Sequence, residues 1–468
     1  MTRLIAALLA TNLLTGCTVG PDYRKPDVAL TAAYHTQTAI APAEAQWWKR
    51  FNDPVLDGLV DQALAQNMDI AAAAARINQA RGLAKAAGAA LLPTVGVGAS
   101  AERDHTSLQT PFGAASRELG FPRDYSLYQA GAQASWEIDL FGGLRRGREA
   151  ARADLASTLA NADAVRLSIA AETVDAYLQL RGLQARLAVA QGQLQTEKQL
   201  VDLIRQQSDQ GVASDLSLNR TLGEQQGIEA SIPPLQAAIT GQINRLAVLG
   251  GQQAGTGADA LANAVAIPLA PDPGGSIVPA ELMRRRPDLV AAERQVAAAN
   301  ARIGVAMAEY YPHISLDGLL GVATVGGASM FTGNALQASG GGALRWRLFD
   351  FGKVDAQVAQ ARGRETEALA LYRGAVLHAT EDVENALTRL AQGRAEIALR
   401  EQQLASLTKA RDQARQAYGA GVVSLIDVLD ADRALLAASD RLAMARADTA
   451  RASVAAIRAL GGGWEKRT

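Results

Sequence analysis

Cysteine occurs once in the 468 residues, at Cys17. A single thiol excludes an intrachain disulfide framework and a cysteine-built zinc site. The four histidines, at 35, 105, 313 and 378, have no metal-ligand spacing. Aromatic residues amount to only 4%, fewer than a conventional core of this size uses. Neither sign of charge is in excess. With 46 Lys+Arg against 47 Asp+Glu the net charge is −1, so the basic surplus with which nucleic-acid binders displace counterions is missing. Past residue 17 there is also no long apolar run free of charges or polar breaks, which excludes a transmembrane helix there. Any membrane-crossing part must therefore be a β-barrel. What abounds is alanine, roughly one residue in five, the strongest helix former. At 49% hydrophobic and 20% charged the chain is too apolar for disorder. Long, closely packed helices are the expectation.

The N-terminus reads as an export signal. Arg3 precedes the apolar run Leu4 to Ala10, which Thr11-Asn12 separates from Leu13-Leu14. The run is too short for a span and fits a secretory h-region. Leu14-Thr15-Gly16-Cys17 follows and looks like the bacterial lipobox, which implies cleavage before Cys17 and acylation of its thiol. An ordinary signal peptide with an unmodified cysteine is the alternative. Thr18, where an Asp would favour inner-membrane retention, points to the outer membrane. Two or three acyl chains anchor stably, since each buried CH₂ contributes about 0.8 kcal/mol.

The rest of the chain is a tandem repeat. Asn67-Met68-Asp69-Ile70 opens an Ala-rich helix ending at Leu92-Pro93, and Pro287-Asp288-Leu289-Val290 opens another ending at Tyr311-Pro312, 219 residues later. Trp136 to Gly142 matches Trp346 to Gly352 at a separation of 210, as does Gly211-Val212-Ala213-Ser214 with Gly421-Val422-Val423-Ser424. Leu249-Gly250-Gly251 echoes Leu460-Gly461-Gly462. The first half therefore carries about nine extra residues between Pro93 and Trp136. The implied boundaries are a signal peptide at 1–16 and an N-terminal segment at 17–66. A first repeat at 67–250, a linker at 251–286, a second repeat at 287–463 and a tail at 464–468 complete the chain.

Each half reads as helix, β-hairpin, long helix, turn, long helix. Ala130, Ala132, Ala134, Trp136, Ile138 and Leu140 alternate with polar or small residues, a period of two long enough for a tilted membrane strand. Leu344, Trp346 and Leu348 alternate likewise, and Thr94 to Ser100 and Ile314 to Gly321 are shorter partners. A half-buried sheet of a soluble domain is the competing reading. Residues 101–125 and Gly326 to Gly342 read as outer loops. Trp136 and Trp346 suit an aromatic girdle or packing in the barrel wall, and Trp47, Trp48 and Trp464 suit packing anchors. Leu180, Leu183, Leu187, Ala190, Leu194, Val201 and Ile204 form a heptad stripe broken only by Glu197. Leu390, Ile397, Leu404 and Leu407 continue it in the second half. A helix from about 144 to 208 measures about 95 Å, too long for a compact domain. Pro233-Pro234 is expected to interrupt the next helix. Arg284-Arg285-Arg286 suits a helix C-terminus or a lipid or partner contact.

Two hairpins supply four strands. Four strands cannot close a membrane barrel, and open edges are not tolerated in lipid. Several copies are needed, and three would supply about 12 strands.

With these features the chain resembles the TolC-like outer-membrane efflux proteins, nearest their lipidated OprM/NodT branch. The matching stretches are Gly16 to Pro26, Trp48 to Pro54, Arg285 to Asp288, Gly421 to Asp430 and Leu460 to Trp464. Their order and spacing are the specific part. The resemblance implies a mainly α fold with a membrane β-barrel: a homotrimer whose 12-stranded outer-membrane barrel joins a periplasmic α-helical barrel. It further implies a periplasmic adaptor and an inner-membrane RND-type pump as partners. The chain itself would do no chemistry and need no cofactor beyond a covalent lipid, such as palmitate, on Cys17.

The hairpin tips, Gly211, Val212, Ala213 and Ser214 with Gly421, Val422, Val423 and Ser424, combine a left-handed C-cap glycine with an N-cap serine. In the family they meet the adaptor and form the aperture. Asp427 and Asp430 stand beside the second tip, and three chains would ring an axis with carboxylates. Family resemblance makes them constriction residues and makes Tyr418 a gate-network tyrosine, while Val423 replaces an arginine often found there. Asp427 also completes a capping box, Ser424-x-x-Asp427, and Asp430 also suits a solvated helix face. Ser217 and Arg220 match them in the first half, and Arg220 is the expected partner of Asp427 or Asp430.

The leading function is the outer-membrane channel of a tripartite efflux pump for drugs or other toxic small molecules. A type I protein-secretion duct shares the fold, and a structural lipoprotein shares the rods and anchor. An enzyme is disfavoured, because no nucleophile–base arrangement, metal spacing or phosphate loop stands in a suitable context.

Overall fold

A computed structural model describes residues 18–35, 45–268, 285–325 and 327–462. Cys17 and the leader before it, Arg284 and Trp464 lie outside the described residues. The order is α1 (Pro54–Gln66), α2 (Met68–Ala89), β1 (Thr94–His105), α3 (Pro111–Glu118), β2 (Asp124–Ile138), α4 (Gly143–Asp209) and α5 (Asp215–Leu249). After the linker come α6 (Pro287–Ala308), β3 (His313–Thr324), β4 (Leu336–Arg345), α7 (Lys353–Gly419) and α8 (Leu425–Ala459). The repeat is carried residue for residue. The helices α2 and α6 both have 22 residues, α4 and α7 both 67, α5 and α8 both 35. Gly251 (φ 74°) matches Gly461 (φ 68°). The separation is thus still 210 at the repeat ends, one residue less than the echo of Leu249-Gly250-Gly251 in Leu460-Gly461-Gly462 suggests.

Three local expectations are corrected. Pro233 and Pro234 lie inside an unbroken α5. Each proline removes only its own N–H, and Glu229 and Ala230, whose carbonyls lose those donors, are exposed to solvent. The 101–125 loop is shorter, because β1 runs on to His105 and the connection folds into α3, capped by Thr110. Gly340-Gly341-Gly342 are strand residues of β4, not loop, while Trp346 and Leu348 fall just past its end.

The chain divides into two compact units. The first comprises residues 1–26, 78–157 and 293–371 and contains an antiparallel sheet of order β1-β2-β3-β4. Over its central rows the register sorts most side chains by polarity. Val95, Val97 and Ala99 align with Ala134, Ala132 and Ala130, these with Gly318, Leu320 and Val322, and those with Gly340, Ala338 and Leu336. That face is apolar from edge to edge. The opposite face carries Gln129, Gln133, Glu137, Ser315, Asp317, Ser339 and Arg345. At Gly131 and Gly321 the strands approach so closely that a Cβ on Gly321 would stand 2.4 Å from the Ala130 carbonyl oxygen. The apolar face is bare: Val97 is 86% and Leu344 64% exposed. A half-buried sheet of a soluble domain would cover those side chains, so that reading is removed. The two strand tryptophans obey the repeat, since Trp136 Nε1 donates to the Leu91 carbonyl and Trp346 Nε1 to that of Tyr310, both at 3.0 Å.

The residues after Cys17 belong to this unit. Val19 N–H donates to the Phe141 carbonyl at 3.1 Å. Buried Arg146 donates to the carbonyls of Val19 and Gly20 and to Asp22 and Glu149. Gly20 (φ 94°) packs on Gly304, where a Cβ would reach 2.5 Å from Cα.

The second unit comprises residues 27–77, 158–292 and 372–468. Trp47, Trp48, Phe51 and α1 pack on α4 at Val174, Tyr177 and Leu178, with Ile243, Leu246, Leu249, Val454 and Ile457 completing the core. The tryptophan rings meet edge to face at 6.0 Å, consistent with their reading as anchors. Asp53 caps α1 through Oδ1 and accepts the Tyr177 hydroxyl on Oδ2. Burial, with that bond, pushes Tyr177 up to about 12. Arg286, just before α6, pairs with Asp288 and Asp382 at 2.8 and 3.1 Å. Arg285 is helical and Arg286 is the single non-helical residue before Pro287 opens α6.

The register makes a direct prediction. Leu320→Arg on the apolar face should destabilise the protein in lipid vesicles by about 2–4 kcal/mol, measured by denaturant unfolding, whereas Gln133→Arg on the polar face should leave stability nearly unchanged.

Candidate functional site: the two hairpin tips

Both tips lie in the second unit and are built mainly by the backbone. The α4 helix ends when Gly211 enters the left-handed region (φ 73°), where a side chain is strained. Gly211 N–H donates to the Ser208 carbonyl at 2.9 Å and Val212 N–H to that of Gln207 at 2.8 Å, a Schellman closure. The second tip repeats it: Gly421 (φ 75°) donates to Tyr418 at 2.9 Å and Val422 to Ala417 at 2.8 Å. Ser214 and Ser424 are the N-caps of α5 and α8.

The caps differ, and the difference localises charge. Ser217 N–H donates to Ser214 Oγ at 3.3 Å. At the second tip Ser424 donates through its N–H and its hydroxyl to Asp427 Oδ2, at 2.8 and 2.7 Å. The capping box is thus formed. These bonds, first from the Ser424 hydroxyl and then from its N–H, hold the Asp427 carboxyl below its ordinary range. Asp427 is consequently an anion under ordinary conditions. Asp430, one turn on, is exposed. The Tyr418 hydroxyl donates to Gln207 Oε1 at 3.2 Å, joining the end of α7 to that of α4. Ala213 and Val423 are half-buried. Val212 and Val422 are about equally bare, at 75% and 76% exposed, and Leu216 and Ile426 are exposed beside them. Each tip therefore presents the same small apolar knob.

Arg220 is exposed on α5. Among the described residues of one chain no ion pair joins it to Asp427 or Asp430: Asp427 is occupied by Ser424, and the arginine pairs between helices at this end are Arg415–Asp432 and Arg433–Glu224. Those pairs, and Gln207 as the partner of Tyr418, were not visible in sequence. Residues 17, 209 or 211 positions apart meet only because α4, α5, α7 and α8 pack side by side, and no local spacing signals it.

Comparison with known proteins agrees with this geometry. The model of the outer membrane efflux protein family matches residues 59–252 and 278–462. The pyoverdine export outer membrane protein OpmQ of Pseudomonas putida is 33% identical over 98% of this chain and 96% of its own. Nodulation protein T of Rhizobium leguminosarum bv. trifolii is 31% identical over 97% of this chain and 96% of its own. Among solved structures, the outer-membrane channel OprN superposes with a TM-score of 0.87 at 35% identity, covering 96% of this chain and 100% of that one. With strands, tips and repeat in the family arrangement, the chain belongs to the outer membrane efflux protein family and is an outer-membrane efflux channel of TolC-like fold.

Proposed function

We propose that three copies of this chain form a passive duct, lipid-anchored at Cys17, through which a tripartite efflux pump expels toxic small molecules. The observation that carries the reading is the sheet. Its strands are 10 to 15 residues long, enough to cross a bilayer. One face is largely apolar, and the outer edges of β1 and β4 have no partner strand among the described residues. Lipid forbids such edges, and a barrel of about 12 strands removes them. The repeat supplies the joint. Phe141 stacks on Tyr311 at 4.5 Å. Their repeat mates are Phe351 and Leu92, and Phe351 is wholly exposed (103%), with Leu92 also bare. These two would meet between neighbouring copies as Phe141 and Tyr311 meet within one. The β2–β3 register, where Ala134 faces Gly318, carried onto the matching strands sets Leu344 opposite Ala99 of the next copy.

Four further points support the reading. Thr18 packs against Gly142 just beyond β2, where a Cβ would stand 2.3 Å from its Cγ2. An acyl chain on Cys17 would therefore emerge beside the end of an apolar strand. The matched knobs at Val212 and Val422 suit a periplasmic adaptor that meets six equivalent tips. Arg220 and Asp430 are repeat mates, so around a trimer they alternate, and each arginine would reach a neighbour's Asp430. Export of pyoverdine by OpmQ supports a small-molecule cargo delivered by an inner-membrane pump of the RND type. Energy would come from that pump.

Three outcomes follow. Leu344→Cys with Ala99→Cys should oxidise to a covalent trimer on denaturing gels, while Leu344→Cys with Val95→Cys, four residues out of register, should not; monomers from both would remove the closure. Cys17→Ser should abolish incorporation of labelled palmitate. The charge reversal Arg220→Glu should raise the resting conductance in planar bilayers, and an unchanged conductance would count against the pairing with Asp430.

A further inference from the structure

The heptad stripe of α4 has one misfit, Glu197, and the structure gives that misfit surroundings. Glu197 has 0% exposure, and both its carboxyl oxygens lack a hydrogen-bond partner. Asp432 on α8 is equally enclosed at 1% exposure. Its Oδ2 accepts from Arg415 of α7 at 2.9 Å, while its Oδ1 has no partner. Glu224 of α5 is bound by Arg433 of α8, whose Nε stands 2.7 Å away. The groups acting on Glu197 are thus Asp432 and Arg433 from α8, Glu224 from α5 and Arg415 from α7. Fully ionised, the cluster holds three carboxylates and two guanidinium groups, and both guanidinium groups are already taken. The repeat shows that the site does not require charge. The positions matching Glu197 and Asp432 are Leu407 and Leu222, so one side of the bundle fills this layer with leucine and the other with acids.

We propose that Glu197 is a proton-operated latch. Protonated, it seats α4 against α8; ionised, it loosens that contact and moves the α8 segment bearing Asp427 and Asp430, so that the aperture opens as the periplasm turns alkaline. The chemistry is a single proton exchange with solvent. A neutral carboxyl brings one O–H donor to a layer with orphaned acceptors, Asp432 Oδ1 among them. A buried carboxylate without a donor is costly, and hydration is its one relief, which requires the helices to part. Asp427 and Asp430 precede Asp432 by five and two residues on the same helix. Burial first, then the charges of Asp432 and Glu224, push the Glu197 carboxyl up from 4.5 to about 7. The sign follows. Between those two values the folded chain holds a proton that the unfolded chain has lost, so stability falls as pH rises through the window and the loss is complete above it.

The link to the aperture rests on the channel reading, whereas the latch itself does not, and two measurements keep them apart. Thermal unfolding of the purified full chain in detergent, from about pH 5 to about pH 8, should show a falling Tm for the wild type. Glu197→Gln should flatten that fall, and so should Glu197→Leu, which copies the matching Leu407. Both variants should be the more stable at the alkaline end. Single-channel conductance in planar bilayers should rise with pH for the wild type and stay at its acidic level for both variants. A Tm profile of Glu197→Gln parallel to the wild type, or a Tm lowered at every pH, overturns the latch. A flattened Tm profile with an unchanged conductance profile overturns its coupling to the aperture.

Discussion

The backbone polar groups along β1 and β4 are the constraint on which the rest depends. A sheet with one largely apolar face and two open edges is not a finished object, because lipid offers those N–H and C=O groups no partner. The proposed closure by copies of the same chain would settle this, and the tandem repeat would make it quasi-uniform. In that closure the contact within one chain, Phe141 on Tyr311, would be the pattern for the contact between chains. Duplication therefore does more than lengthen the molecule: one interface design serves twice.

The halves are alike in frame and unlike in detail, and function sits in the differences. Helix lengths, turn geometry and the tryptophan-to-carbonyl bonds are matched at fixed separations. Among the unmatched positions are Ser217 against Asp427, Arg220 against Asp430, Leu222 against Asp432 and Leu407 against Glu197. All lie in the second unit, toward the tips. A uniform frame provides a tube; the broken symmetry provides sites where charge and protonation act on it.

Much of this was legible in the chain itself. Period-two alternation gave the sheet and its apolar face, the 3,4 spacing gave the long helices, and the repeated Gly-Val-x-Ser gave both tips with their left-handed glycines. The misses have physical causes. Prolines do not break a helix whose freed carbonyls face water, as in α5. Glycines inside a strand read as loop until their partner strand is known, as with Gly340 to Gly342, which pair with Gly318 to Leu316. Glu197 stood out as a flaw in the stripe, but its companions Asp432, Arg415, Glu224 and Arg433 come from three other helices and carry no mark in the sequence.

The tips owe their shape to two glycines, two serines and main-chain hydrogen bonds. Side chains at 212, 213, 216, 422, 423 and 426 are thus largely released from folding duty. A lineage could exchange them, alter which protein recognises the tip, and leave the tube untouched. Partner choice and architecture are then separately heritable, and a duct of this design could be handed from one pump to another by a few surface substitutions.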